Sequence, residues 1–211
     1  IHSIYGYTVA GIVQKDDTEY IQANGATPGN PKYVDVDGNG TIGVEDRTIL
    51  GTSDPRFKMS LSNTLSWKNF ELYFMLTGTF GGNGYYVSEN APAFLAGGGG
   101  GGAYSNNMYI PYWTEERPSN KYPAANFSGD GRFKGLQSRA FVRLQDITLS
   151  YTFNSAKIKN FGINNLRVFF TGKNLFTITG WENGDPELGN TILSSTYPIS
   201  TNLSLGANIS F

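Results

Sequence analysis

The chain has 211 residues with 16 basic and 17 acidic side chains, so its net charge is −1 and it offers no basic field to nucleic acid. It has no cysteine and one histidine, which excludes disulfide scaffolds, Cys-bearing zinc sites and thiol catalysis and leaves little for a His relay. Only 16% of residues are charged while 14% are aromatic and 27 are glycine, the balance of an all-β protein whose outer surface faces something drier than water.

The first segment, IHSIYGYTVAG, has no positive region leading into an apolar one and so is not read as a signal peptide. No stretch approaches the ~18 apolar residues of a membrane-spanning helix. A weak strand is predicted over residues 4–13, where Tyr5, Tyr7 and Val9 alternate with small or polar residues. The long connection to Arg56 then carries DVDGNGTIGVED, residues 35–46. Asp35, Asp37, Asn39 and Asp46 stand at positions 1, 3, 5 and 12 of a twelve-residue loop, with Gly40 at 6, Thr41 at 7 and Ile42 at 8. Alternate oxygens on a tightly curled loop suit Ca²⁺, the glycine permits the turn, and position 7 offers its backbone carbonyl. Asp35, Asp37, Asn39, Thr41 and Asp46 are therefore candidate ligands of a structural Ca²⁺, although Asp at position 12 closes the shell less surely than Glu. Such residues also form solvated turns without any metal.

Residues 57–67 alternate cleanly, with Phe57, Met59, Leu61, Asn63, Leu65 and Trp67 on one face and Lys58, Ser60, Ser62, Thr64 and Ser66 on the other. A turn at Lys68–Asn69 leads into a second strand, 70–80, with Phe70, Leu72, Phe74, Leu76 and Phe80 opposed to Glu71, Tyr73, Met75 and Thr77. The next connection, 81–140, holds six glycines at Gly97–Gly102, without the Lys-Ser/Thr of a phosphate loop, and the aromatics Tyr109, Tyr112 and Trp113. Those aromatics suit stacking on sugar or peptide, and equally loop packing. Strands follow at 141–153, 166–178 and 197–211, the last ending in Leu203, Leu205, Ala207, Ile209 and Phe211 on one face. Asp185-Pro186-Glu187 brings two carboxylates close but shows no partner group. No GxSxG, HExxH or dinucleotide fingerprint is present, and the chain is not expected to be an enzyme.

Soluble sheets alternate too, so the polar face decides. It carries Ser, Thr, Asn and Gly with few charges, as a wall lining a wet lumen should, rather than the Lys and Glu of a face in bulk water. Links after the second and fourth strands are short and the other three long, the arrangement of an outer-membrane barrel, and the chain then ends on the periplasmic side. Trp67, Phe70, Phe153 and Phe211 fall at that end, where an aromatic girdle belongs. Six strands cannot close such a barrel, since these begin at about eight. The expected fold is thus all-β, an antiparallel transmembrane β-barrel segment of about six strands with long extracellular loops, residues 1–211 being one portion of a larger barrel. A soluble, secreted calcium-dependent β module binding carbohydrate or protein is the alternative.

Several blocks carry a family resemblance: YGYTVAGIVQ, PGNPKYVDVDGNGTIGVEDRTILG, DPRFKMSLSNTLSWKNFELYFMLTGTFGGN, YWTEERPSNKYP, FVRLQDITLSYTF, LRVFFTGKNLFTITGW and YPISTNLSLGANISF. Together they resemble the C-terminal part of SusC/RagA-type TonB-dependent outer-membrane transporters from about Tyr5 to Phe211, most weakly across Glu89–Asn107. The resemblance implies a 22-stranded barrel plugged by an N-terminal domain absent from this chain. It implies import of glycan fragments or peptides through the bacterial outer membrane, a SusD-like surface lipoprotein acting as a lid, and energy from the TonB complex. The remainder of the barrel, the plug and the surrounding lipid would be this chain's neighbours. Asp146, Arg167 and Lys173 would face the lumen, and connections 81–140 and 179–196 would meet substrate or lid.

Overall fold

The computed structural model describes residues 2–85, 111–127, 135–153, 162–181, 185–187 and 199–211. The glycine run and Tyr109 lie outside them. Chain contacts divide into two compact units, Ile1–Ser53 with Tyr85–Leu136, and Asp54–Gly84 with Gln137–Phe211.

In the first unit, β1 (Ser3–Tyr7) and β2 (Val9–Ile12) precede a short helix, α1 (Thr18–Asn24), then β3 (Pro31–Tyr33), a 3-10 turn (Val44–Asp46) and β4 (Arg47–Thr52). The single strand expected over 4–13 is thus two. β1 pairs with β4 and β2 with β3, both antiparallel. The break falls at Thr8, whose carbonyl accepts the Val34 N–H at 2.9 Å while its hydroxyl shares a hydrogen bond with that of Thr48 at 3.0 Å. α1 stops at Gly25, which takes the left-handed conformation (φ 58°) that glycine adopts without steric cost. Ile12, Val13, Tyr7, Tyr33, Trp113, Ala124 and Phe127 are buried and form the unit's apolar interior.

The second unit is a sheet of five strands: β5 (Phe57–Trp67), β6 (Phe70–Phe80), β9 (Phe141–Phe153), β10 (Asn165–Thr179) and β11 (Asn202–Ser210). The short β7 (Asn83–Tyr85) and β8 (Leu136–Ser138) pair with each other. The five-stranded order is β11-β10-β9-β6-β5 and every pairing is antiparallel. Among the described residues five strands, rather than six, therefore make the wall, because the first predicted strand pairs elsewhere. A Lys68–Asn69 turn joins β5 to β6, with Lys68 at φ 53° as tight hairpins require.

Register carries the sequence alternation across all five strands. Leu65, Leu72, Leu149, Phe170 and Leu205 form one cross-strand row, while Thr64, Tyr73, Thr148, Thr171 and Ser204 form the next, on the opposite face. The 11 residues of β5, rising about 3.3 Å each and tilted by about 40°, span about 25 Å, the height of an outer-membrane apolar band. At one end of that band Trp67, Phe70, Tyr151 and Phe153 stand in a chain of ring contacts, with centroids 6.3, 4.7 and 4.6 Å apart. Phe57 stacks on Phe80 at 4.7 Å at the other. Lys68 reaches over the Trp67 ring, its ammonium 4.7 Å from the centroid, as amphipathic side chains do at a membrane interface.

The apolar face is bare. Leu61, Leu65, Phe170, Phe176, Leu203 and Leu205 are between 48% and 77% exposed, which no soluble sandwich would leave uncovered. The edge strands β5 and β11 each pair on one side only among the described residues. The sheet is an open wall and not a closed barrel.

Candidate functional site: the acidic loop and the polar wall

Asp, Asn and Gly in residues 35–46 favour turns in which side-chain oxygens capture nearby backbone N–H groups. Asp35 accepts from the N–H groups of Gly38 and Gly40, both at 2.7 Å. Asp37 accepts from the Asn39 N–H at 3.0 Å and the Asn39 amide at 2.9 Å. Gly38 and Gly40 both take positive φ, 75° and 86°, where a side chain would be strained.

Asp46 closes the loop from the far end and is fully buried. Its Oδ1 accepts the Val36 N–H at 2.6 Å and its Oδ2 the Gly43 N–H at 2.7 Å, with Asp37 N–H a longer contact at 3.4 Å. The Gly43 and Val36 N–H groups hold its carboxyl below the ordinary value of 3.8, against the opposing effect of burial. An aspartate reaches these donors directly, which gives position 12 a physical reason to be Asp here.

One carboxylate oxygen from each of Asp35, Asp37 and Asp46 lies within 4.8 Å of the others. Among the described residues no ion pair neutralises them. A carboxylate has about four acceptor positions, so each retains capacity for a cation. Asn39 is committed differently, because its Oδ1 accepts both the N–H and the hydroxyl of Thr41, at 2.8 and 2.7 Å. The donor set is hard oxygen and suits Ca²⁺ over a softer metal. Ile42 donates its N–H to the Asn24 amide oxygen at 2.8 Å, which ties the loop to the end of α1.

Trp113 resolves towards packing. It is 8% exposed and donates its indole N–H to the Gln14 side chain at 2.9 Å, while Tyr112 stays exposed. A Cβ at Gly29 (φ +89°) would lie 2.7 Å from the Trp113 ring, so glycine there lets the indole seat. Asn120 accepts the Ile12 N–H at 2.9 Å and occupies the space where a side chain on Gly11 would stand. The WTEERPSN segment thereby clamps β2.

On the polar face of the sheet, Arg167 donates to Glu71 and, at 2.9 Å, to Ser150. Asp146 stands opposite Lys173 and Met75 on this face, and Thr148 shares a hydrogen bond with Thr171 at 2.9 Å. The three residues expected to face the lumen thus share one side. Phe169 joins them, its ring lying where a Cβ on Gly206 would fall 2.4 Å away.

The acidic turn that shows no partner in the sequence has two. Arg143, 5% exposed, donates to Asp185 at 2.8 Å and also to Glu187 and, at 2.9 Å, to the Thr177 hydroxyl. Arg139 donates to the carbonyls of Pro186 and Glu187 at 3.0 and 2.7 Å. Both arginines lie more than forty residues from the turn, beyond the reach of any spacing rule.

No protein-family profile matches the chain. It is 28% identical over 235 aligned residues to TonB-dependent receptor P3 of Formosa agariphila, covering 100% of this chain and 22% of that receptor. It is 29% identical to TonB-dependent receptor SusC of Bacteroides thetaiotaomicron, over 85% of this chain and 17% of SusC. Among solved structures it is similar to the RagAB peptide importer in its open-open state, with a TM-score of 0.68 and 23% identity over 99% of the chain and 22% of that one. A second RagAB structure, described as a peptide transporter, gives 0.67 and 25% over 99% of the chain and 23% of its own. The chain therefore spans about a fifth of the length of its relatives. In sequence and in fold it is similar to a barrel-wall fragment of the SusC/RagA-type TonB-dependent receptors, proteins of the outer membrane.

Proposed function

We propose that this chain is part of the wall of a TonB-dependent importer that carries peptides or glycan fragments across the outer membrane. The carrying observation is the bare apolar face, continuous over five strands and about as tall as the hydrocarbon layer, backed by a face of Ser, Thr and paired charged side chains. The two edges take the remaining barrel strands, since unpaired backbone in lipid costs several kcal/mol per group. A plug, the TonB complex and a SusD-like lipoprotein complete the machine. Support for a peptide cargo comes from the RagAB neighbours, both described as moving peptides. The soluble-module alternative loses its ground, because such a sheet would cover its apolar side.

Uptake of fluorescent oligopeptides and oligosaccharides by cells carrying the complete receptor tests the reading. One class of probe accumulates only when the receptor is present, and a protonophore that collapses the TonB energy source abolishes it. Uptake that persists without the receptor, or without energy, contradicts it.

The acidic loop binds Ca²⁺ as a structural clasp. Asp35, Asp37 and Asp46 supply carboxylate oxygens, and Thr41 supplies a backbone carbonyl. Bound Ca²⁺ would offset the crowded negative charge, with no acid–base chemistry attached. Chelation is expected to raise protease cleavage near Thr41, and Ca²⁺ to restore protection. Identical cleavage with and without the ion argues against a site.

A further inference from the structure

Arg143 shares its face of the sheet with Thr77 and Thr177, the residues opposite it on β6 and β10, and so with Tyr73 and Glu71 further along β6. This is the polar side. The turn Asp185–Glu187 must therefore fold over that side to meet it. Asp185 is 6% exposed at its side chain and Pro186 is fully buried. Arg143 pairs with both carboxylates and Arg139 holds the turn's backbone carbonyls, so two positive and two negative groups leave the cluster neutral. Arg143 also lies 4.8 Å from the Phe141 ring centroid, and Asp185 accepts the Glu187 N–H at 2.9 Å. Every charged group in this cluster is engaged by at least one partner within it. Opening it would strand a buried charge, which is strongly unfavourable.

We propose that Arg139 and Arg143 latch the Asp185–Glu187 turn across the lumen side of the wall as a fixed constriction, which limits the size of solute that passes there. This rests on the importer reading, because only then is the polar face a passage. The cluster has the properties of a rigid strut. Its charges are matched, its proline is enclosed, and Arg143 is anchored on β9 with Arg139 in the two-residue link before it, while Thr177 of β10 takes a third bond.

The test uses the complete receptor in its own membrane, with Pro186→Cys as a reporter and Ser138→Cys as an exposed control. A membrane-impermeant maleimide is expected to label the control at least about tenfold faster than the reporter, as burial of the turn requires. Adding Arg143→Met is expected to bring the two rates together and to extend energised uptake to longer members of the probe series that the unsubstituted receptor takes up poorly. Should Arg143→Met fail to assemble, seen as loss of heat-modifiable gel mobility, the near-isosteric pair Asp185→Asn and Glu187→Gln replaces it. Equal labelling of reporter and control with both arginines intact overturns the latch. Faster labelling with an unchanged size limit for energised uptake overturns the constriction. A receptor absent from the outer membrane fails the importer reading instead, and fractionation reports that separately.

Discussion

Asp46 shows how one side chain organises a loop. Its two oxygens gather N–H groups from both ends of residues 36–43, so an alanine there leaves two donors without partners in a buried place. Asp46→Ala is expected to speed proteolysis within residues 35–46 by about tenfold, the scale of a lost buried hydrogen bond. Unchanged cleavage would count against the keystone role. The pH response has a definite sign. Asp46 is held below 3.8 by the Gly43 and Val36 N–H groups, and Asp17 by Lys32 and then the Gln14 N–H. A carboxyl with a lowered folded pKa stabilises fully above its unfolded value, and that contribution is lost as pH falls through the folded one. Amide exchange at Val36 and Gly43, corrected for intrinsic rate, should show constant protection from neutrality to about pH 5 and declining protection below 3.8. Protection that stays flat through the acid range contradicts this. The spacing of Asp35, Asp37 and Asp46 was legible in the sequence, because a tight loop brings alternate residues together. The Arg143 cluster was not, because β9 and the turn meet only through the sheet.

At the scale of the strands, alternation revealed β5, β6, β9 and β10 to within a residue, while β11 (Asn202–Ser210) begins five residues later than the strand expected over 197–211. Bulges did not show. Two residues of β10, Asn174 and Leu175, oppose the single Gln145 of β9 between the pairs Lys173–Asp146 and Phe176–Leu144. Asn174 takes φ 52° and exchanges bonds with Ser200 and Thr201. β9 in turn has one residue, Gln145, more than β6 here, so β10 gains two against β6 and Phe176 comes level with Leu144 and Leu76 on the face of Phe170. A matched pair of substitutions separates the two faces. Leu61→Arg is expected to destabilise the folded receptor in lipid by about 2–4 kcal/mol, while Ser62→Arg costs far less, because only the first puts a charge into hydrocarbon. Denaturant titration in phospholipid vesicles reads both. Equal effects, or a neutral Leu61→Arg, would place Leu61 in water.

For the whole molecule, length and strand count pull in opposite directions. A chain of 211 residues is ample for a soluble domain, yet its five-stranded wall has two open edges and an apolar side with no cover. In P3, SusC and RagAB the stretch similar to this chain is about a fifth of a longer chain. The packing of Trp113 and the meeting of Arg143 with the Asp185–Glu187 turn were not legible, because the long connections follow no period. The claim on which the rest depends is that one face of this sheet meets lipid and the other water. Spin labels placed singly at residues 59 to 66 of the complete receptor in bilayers test it most directly, through collisions with oxygen and with a water-soluble nickel chelate. Oxygen is expected to dominate at Met59, Leu61, Asn63 and Leu65 and nickel at Ser60, Ser62, Thr64 and Ser66, in strict alternation. Nickel access at every position, or no alternation, would contradict the account.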